Sequence, residues 1–279
     1  MGEPCNHQCD SCGSNGNCGT QDLEHEKKVK ANTGGVKNVI AVVGGKGGVG
    51  KSLTTSLLAI QTQRLGYRAA ILDADITGPS IPKIFGISKP AEAVENSLLP
   101  NVTESGLKIM SMNLLLQNDT DPVLWRGPVI SGVVKQFWED VQWGDVDFLF
   151  VDMPPGTGDV PLTVFQSLPI NGVLIVSTPQ SLVSMIVDKA MNMASMMQVP
   201  VLGMIENMRY LKCPDCGKEI PLFGKDDNVD NHAVPVLERM PLDPQVAAAC
   251  DAGTLETAEV DYLAKTAVML TESFGKRQQ

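Results

Sequence analysis

Gly45-Lys46-Gly47-Gly48-Val49-Gly50-Lys51-Ser52 is the stretch on which the fold turns. Its spacing is that of a phosphate-binding loop, in which glycines let the backbone curl so that successive N–H groups face phosphate oxygens. The helix that follows adds the positive end of its dipole. Lys51 is placed to meet the β- and γ-phosphates of a nucleoside triphosphate, and the Ser52 hydroxyl to ligate Mg2+. A glycine-rich turn without a ligand would fit the letters equally well, so the flanks decide. Asn38 to Val43 reads as a buried strand before the loop, and Ser52 to Leu65 as a helix that stops at Gly66. Strand, glycine loop and helix together are the context that the motif requires.

The pattern continues downstream. Arg68 to Leu72, Leu107 to Met112, Asp147 to Val151, Gly172 to Ser177 and Val199 to Ile205 are short apolar runs of strand length. Helical segments fall between them, including about Val129 to Val141 and Ser181 to Gln198. In the latter, Ile186, Ala190, Met193 and Met197 form a stripe at helical spacing that reads first as core and second as an adaptable partner surface. Strand and helix in alternation predict an α/β fold with a mostly parallel central sheet flanked by helices. Residues 38–279 are expected to form this P-loop ATPase domain, and residues 1–37 a cysteine-rich arm and linker.

In such sheets ligands collect beyond the carboxyl ends of the strands, and acidic residues stand there. Asp152 closes an apolar strand and opens Met153-Pro154-Pro155-Gly156-Thr157-Gly158-Asp159, a segment suited to holding Mg2+ and sensing a γ-phosphate. Asp73 and Asp75 end a neighbouring strand, where Asp75 can orient or deprotonate a water and Asp73 can support the Mg2+ shell. A turn or cap role is the plainer reading of either. Thr77-Gly78-Pro79-Ser80 follows as a turn able to rearrange with the nucleotide.

Composition narrows the class. The chain has 279 residues, 43% of them hydrophobic, and its mean hydropathy is near zero, enough for one large domain. A net charge of −10 argues against nonspecific nucleic-acid or anionic-membrane partners. No apolar run approaches about 18 residues, and the start lacks signal-peptide character, so a cytoplasmic protein is expected. Asn6 also breaks the myristoylation pattern.

The seven cysteines are clustered: Cys5, Cys9, Cys12 and Cys18 near the start, Cys213 and Cys216 as a pair, and Cys250 alone. In a reducing compartment such clusters point to metal before disulfides. Cys213-Pro214-Asp215-Cys216 supplies two thiolates, whereas zinc and iron-sulfur clusters both take four ligands. A symmetric dimer completes the count. A redox dithiol is disfavoured, because the pair does not open a helix after a strand. The four N-terminal cysteines suffice for a site within one chain, holding a cluster or zinc unless the arm is loosely ordered, with His7 a less favoured ligand. Cys250 reads as a small buried residue.

The second loop lysine gives the deviant form of the motif, which resembles the septum-site and chromosome-partitioning ATPases, the arsenite and tail-anchored-protein ATPases and the nitrogenase iron protein. There the extra lysine reaches across a dimer interface. Four strings, DADITGPS at Asp73 to Ser80, WRGP at Trp125 to Pro128, DMPPGTGD at Asp152 to Asp159 and ENM at Glu206 to Met208, resemble the Mrp/ApbC iron-sulfur cluster carrier ATPases over about residues 36–275. The resemblance implies a homodimer that hydrolyses ATP slowly and passes a 4Fe-4S cluster to apo iron-sulfur proteins, alongside cluster-assembly partners.

Carried onto this sequence, it implies Lys46, Lys51 and Asp75 as catalytic residues, with Lys46 acting in trans. Gly45, Gly47, Gly48, Val49, Gly50, Lys51, Ser52 and Leu53 form the nucleotide loop. Leu53 stands where a second hydroxyl residue is common, which leaves one α-phosphate contact unassigned. Asn207 is implied to contact the adenine, with Pro241 and Asp243 in the segment flanking the base. Ser52, Asp73 and Asp152 are implied at Mg2+, and Cys213 and Cys216 at a cluster bridging the dimer. The gaps between Cys9, Cys12 and Cys18 look like the N-terminal cluster motif of the eukaryotic cytosolic scaffold branch, although Cys5 lies nearer than that branch places its first cysteine. A positioning ATPase that cycles on a membrane is the alternative. It requires a basic amphipathic helix, and the tail from Asp261 to Gln279 carries only Lys265, Lys276 and Arg277 as cations.

Overall fold

A computed structural model describes residues 35–75, 80–94, 97–115, 127–156, 159–179, 184–213, 215–223 and 234–275. The first half runs β1 (Val36–Gly44), α1 (Lys51–Arg64), β2 (Ala69–Asp73), α2 (Ile81–Ile84), β3 (Glu92–Val94), β4 (Ser97–Leu99), β5 (Asn101–Val102), β6 (Lys108–Ser111) and α3 (Gly127–Glu139). The second half runs β7 (Val146–Asp152), α4 (Asp159–Ser167), β8 (Gly172–Ser177), α5 (Ser184–Met196), β9 (Val201–Glu206), β10 (Tyr210–Lys212), β11 (Glu219–Pro221), β12 (Val236–Arg239), α6 (Pro244–Ala252) and α7 (Ala264–Phe274).

Eight strands form one sheet in the order β12-β9-β8-β1-β7-β2-β6-β5, parallel throughout except for β5 at the edge. The expected α/β architecture is present, with element ends within about three residues of the sequence reading. Alternation along β1 explains the two-sided core. Val39, Ala41 and Val43 join a cluster containing Val134, Phe137 and Val187 of α3 and α5. Ile40 and Val42 face the other way, onto Leu57 and Leu58 of α1 and Leu270 of α7. Ala190 and Met193 of the methionine-rich helix are buried in the first cluster, with Met197 packed against it, so these three positions of the stripe belong to the core.

The N-terminal half of α1 is rich in hydroxyl residues, which are weak helix formers because their side chains compete for backbone groups. Thr54 Oγ1, Thr55 Oγ1 and Ser56 Oγ each donate to the carbonyl four residues back, at 2.9, 3.0 and 2.8 Å. The helix ends as expected at Gly66, whose φ of +85° is the left-handed closure that favours glycine.

At the amino end of the sheet, Asp147 ties β1, β7 and the start of β2 together. It accepts from Lys37 Nζ at 2.8 Å and from Arg68 N and Nε at 2.9 and 3.1 Å. Burial would raise this carboxyl, but the bonds from Arg68 and Lys37 overcome it and hold Asp147 well below the usual carboxylate range. A depressed folded-state value stabilises the fold above the unfolded value and stops doing so as pH falls through the folded one. Asp147→Asn is therefore expected to cost about 1–2 kcal/mol at neutral pH. Its melting deficit against the unsubstituted protein should narrow below about pH 4. Thermal melts at pH 7 and pH 3 check this; an equal deficit at both would contradict it.

Among the described residues, no helix is long and apolar enough to cross a membrane.

Candidate functional site

The central strands β1, β7 and β2 lie side by side, and their carboxyl ends form the site. Val42 of β1 is level with Asp152 of β7, and Asp152 is level with Asp73 of β2. β1 runs straight into the glycine loop. Gly50 sits at φ +83° as the N-cap of α1 and makes no side-chain cap, so the first N–H groups of the helix stay available. Among the described residues, the N–H groups of Gly47, Gly48 and Val49 meet no protein acceptor. Added β-carbons at Gly47 and Gly48 would also meet nothing within 4 Å. An anion can therefore approach this backbone closely.

Asp152 is fully buried and gathers the site around it. It accepts from Lys51 Nζ at 2.7 Å, Ser52 Oγ at 2.6 Å and Thr55 Oγ1 at 3.0 Å. Lys51 also lies 3.5 Å from Asp75 Oδ2. Asp73, likewise buried, accepts from Ser111 Oγ at 3.0 Å and from the N–H of Asp75 at 3.1 Å, so it fixes the turn that aims Asp75. Burial first, then the facing Asp152 carboxylate, push the Asp73 carboxyl well up. Burial also raises Asp152, opposed by Lys51. Asp152 and Asp75 share the one Lys51 ammonium, and buried Asp73 stands beside them, which leaves the site short of positive charge. Its oxygen donors, the Ser52 hydroxyl and the carboxylates, suit a hard cation such as Mg2+.

The structure thus brings Lys51, Ser52, Asp73, Asp75 and Asp152 together. Lys46 is exposed on the loop, and Leu53 packs half-buried into the core. Asn207, 2% exposed, donates from Nδ2 to the Val49 carbonyl at 3.0 Å. Pro241 lies in a segment paired with residues 206–210, through Met240 N to Glu206 O and Leu242 N to Tyr210 O, both at 2.8 Å. Asp243 has a structural task as well: one oxygen caps α6 through Gln245 N at 2.8 Å, and the other accepts from Tyr262 Oη at 2.8 Å. Burial and this carboxylate push the Tyr262 hydroxyl up.

Thr55, Ser111 and Tyr262 are partners that the sequence reading misses. Thr55 alone carries a signal, since it lies one helical turn past Lys51. Residues 76–79, Trp125, Arg126, Thr157 and Gly158 lie outside the described residues, as do Cys5, His7, Cys9, Cys12 and Cys18.

Cys213 and Cys216 sit where the β10–β11 hairpin turns, with Cys213 half-buried and Cys216 exposed. Cys213 N donates to Lys218 O and Gly217 N to Cys213 O, each at 2.9 Å, which closes the knuckle. Bonds from the N–H groups of Cys216 and Asp215, then from the Cys216 side chain, hold the Cys213 thiol below its ordinary value. Among the described residues, no third cysteine, histidine or carboxylate completes a metal-binding group.

A family model described as NUBPL iron-transfer P-loop NTPase, within the ParA group, matches residues 35–272. The chain belongs to that family. The iron-sulfur cluster carrier protein of Clostridium perfringens is 42% identical over 260 residues, spanning 89% of this chain and 90% of its own length. That of Methanocaldococcus jannaschii is 41% identical over 257 residues, 89% of each. A nucleotide-binding protein from Archaeoglobus fulgidus in complex with ADP shares the fold with a TM-score of 0.73 and 39% identity, covering 82% of this chain and 91% of its own. The septum site-determining protein MinD from Pyrococcus horikoshii, complexed with Mg-ADP, has a TM-score of 0.59 at 19% identity over 85% of this chain and 97% of its own, which is a likeness of fold. Membership in the iron-transfer P-loop NTPases thus accounts for the glycine loop.

Proposed function

We propose that this chain is an ATP-binding and ATP-hydrolysing iron-sulfur carrier, in which two copies hold a 4Fe-4S cluster between their Cys213-Cys216 knuckles and pass it to apoproteins. The observation that carries the reading is one chain of an iron-transfer family in which an open glycine loop, with Lys51 and Ser52 converging on Asp152, coexists with a two-thiol knuckle whose Cys216 is exposed.

In this reading Gly45 to Leu53 wrap the phosphates, and Lys51 exchanges its Asp152 partner for phosphate oxygens. Ser52 and Asp152 hold Mg2+, which when bound offsets charge on the phosphoryl oxygens. Asp73 supports that shell indirectly by fixing Asp75, and Asp75 orients the attacking water. Lys46, exposed at the loop, serves the partner's nucleotide. Asn207 still has one N–H and one acceptor site to offer an adenine edge, with Pro241 and the Asp243 segment beside it.

The cluster reading follows from arithmetic, because two thiolates per chain need a second chain to reach four. The hairpin and its neighbour expose Ile220, Leu222, Phe223 and Leu242, apolar side chains that suit a contact between copies. The four N-terminal cysteines form a separate site in the same proposal. The work is placed in the cytoplasm, where thiols stay reduced. Neither a membrane nor nucleic acid is assigned as partner. The C-terminal helix α7 buries Thr266, Ala267, Leu270 and Thr271.

Iron, sulfide and zinc analysis of anaerobically purified full-length protein beside a variant lacking residues 1–20 tests the reading. The shortened variant should keep the bridging cluster and lose only the N-terminal share. Zinc in place of iron, or no metal at all, would sink it.

A further inference from the structure

One side chain joins the glycine loop to the root of the cysteine hairpin. Asn207 follows the last residue of β9, and its carboxamide is anchored at both ends: Nδ2 to the Val49 carbonyl at 3.0 Å, Oδ1 from the N–H of Met208 at 2.9 Å. Its backbone N–H is fixed as well, to Ser177 O at 2.8 Å. Met208 has φ +56°, a left-handed conformation unfavourable for a residue with a β-carbon, and the Asn207 oxygen holds that bend in place.

The loop side is equally tight. A β-carbon on Gly50 would overlap Asn207 Nδ2, so loop backbone and amide are in direct contact. Past the bend the chain is clamped by Arg209 N to Met240 O at 2.9 Å and by Leu242 N to Tyr210 O at 2.8 Å. β10 then runs directly into Cys213. A short, hydrogen-bonded path therefore connects Val49 in the loop to the thiol knuckle, and the amide of Asn207 is its first link.

We propose that Asn207 is a positioning residue that transmits the nucleotide state of the loop to the Cys213-Cys216 knuckle. This rests on the reading of the loop as a nucleotide site. Filling the loop moves the Val49 carbonyl or engages the remaining donor and acceptor of the amide. Either event shifts the Met208 bend and with it the exposure of the two thiols. The coupling is reciprocal: whatever occupies the knuckle alters nucleotide affinity by the same factor.

The test reads thiol reactivity, so it does not depend on which metal the protein holds. Full-length protein is stripped of metal under reducing, anaerobic conditions. The rate of iodoacetamide alkylation at the Cys213 and Cys216 peptide is then followed by mass spectrometry, with and without Mg2+ and a non-hydrolysable ATP analogue. The unsubstituted protein should show a rate ratio of about five or more, in either direction. In Asn207→Ala, and in the near-isosteric Asn207→Asp, which sets an oxygen against the Val49 carbonyl, the ratio should fall to about one. Equilibrium dialysis fixes the analogue concentration that saturates each variant, and thermal melts establish that it is folded.

A merely structural Asn207 would alter both rates alike and keep the ratio. A retained ratio in either folded variant, or a ratio of one in the unsubstituted protein, overturns the proposal. Failure of the carrier reading would show separately, as absence of iron after reconstitution.

Discussion

Lys51→Ala is expected to lower ATP turnover by about a thousandfold, as loss of a group that stabilises transferred phosphoryl charge does. The structure adds a complication, because Lys51 also compensates a fully buried Asp152 at 2.7 Å. Removing one member of a buried ion pair costs about 3–5 kcal/mol, since the other charge is left uncompensated. For a chain of this size that corresponds to a melting point lower by roughly 5–9 °C. Activity and stability would then fall together, and the single variant would say little about mechanism.

Combining Lys51→Ala with Asp152→Asn separates the two effects. With both charges gone, the carboxamide that replaces the Asp152 carboxylate can still bond Ser52 and Thr55, so most of the lost stability should return. Activity should not, because phosphate and Mg2+ contacts are both missing. Phosphate release and thermal melts on the single and double variants check this. Recovery of turnover in the double variant, or a melting deficit undiminished by Asp152→Asn, would contradict the assigned roles.

The second large effect concerns the knuckle. Cys213→Ala or Cys216→Ala leaves one thiolate per chain, two in a dimer, which is half of what a cluster needs. In a background lacking residues 1–20, either substitution should remove essentially all iron after anaerobic reconstitution. Both cysteines lie on a hairpin outside the eight-stranded sheet, so the fold and ATP binding should survive. Full iron content in either variant would refute the assignment.

How legible this molecule is from its letters depends on what each feature rests on. The loop, the flanking strands and the helix stop at Gly66 rest on local chemistry, namely apolar runs and glycines at φ above zero, and they stand in the structure as read. β12 is short and ends in Glu238-Arg239, so no apolar run marks it; its place at the sheet edge comes from pairing with β9. The β3–β4 and β10–β11 hairpins are three-residue strands, too short for periodicity to register.

The site divides the same way. The aspartates at strand ends are legible as a set, whereas the opposition of Asp73 to Asp152 arises from parallel register between β2 and β7. Ser111 reaches Asp73, and Tyr262 reaches Asp243, only because distant segments pack together. Asn207 is implied as a base contact by the family resemblance alone, and its bond to the loop carbonyl needs the fold to become visible.

The proposed carrier function depends on two chains sharing one cluster. Native mass spectrometry of the anaerobically reconstituted variant lacking residues 1–20 weighs that assembly directly. The expected mass is two chains plus one 4Fe-4S unit, about four irons per two chains, and it should disappear with Cys216→Ala. A single chain carrying a complete cluster, or a dimer whose iron is unaffected by that substitution, would contradict it.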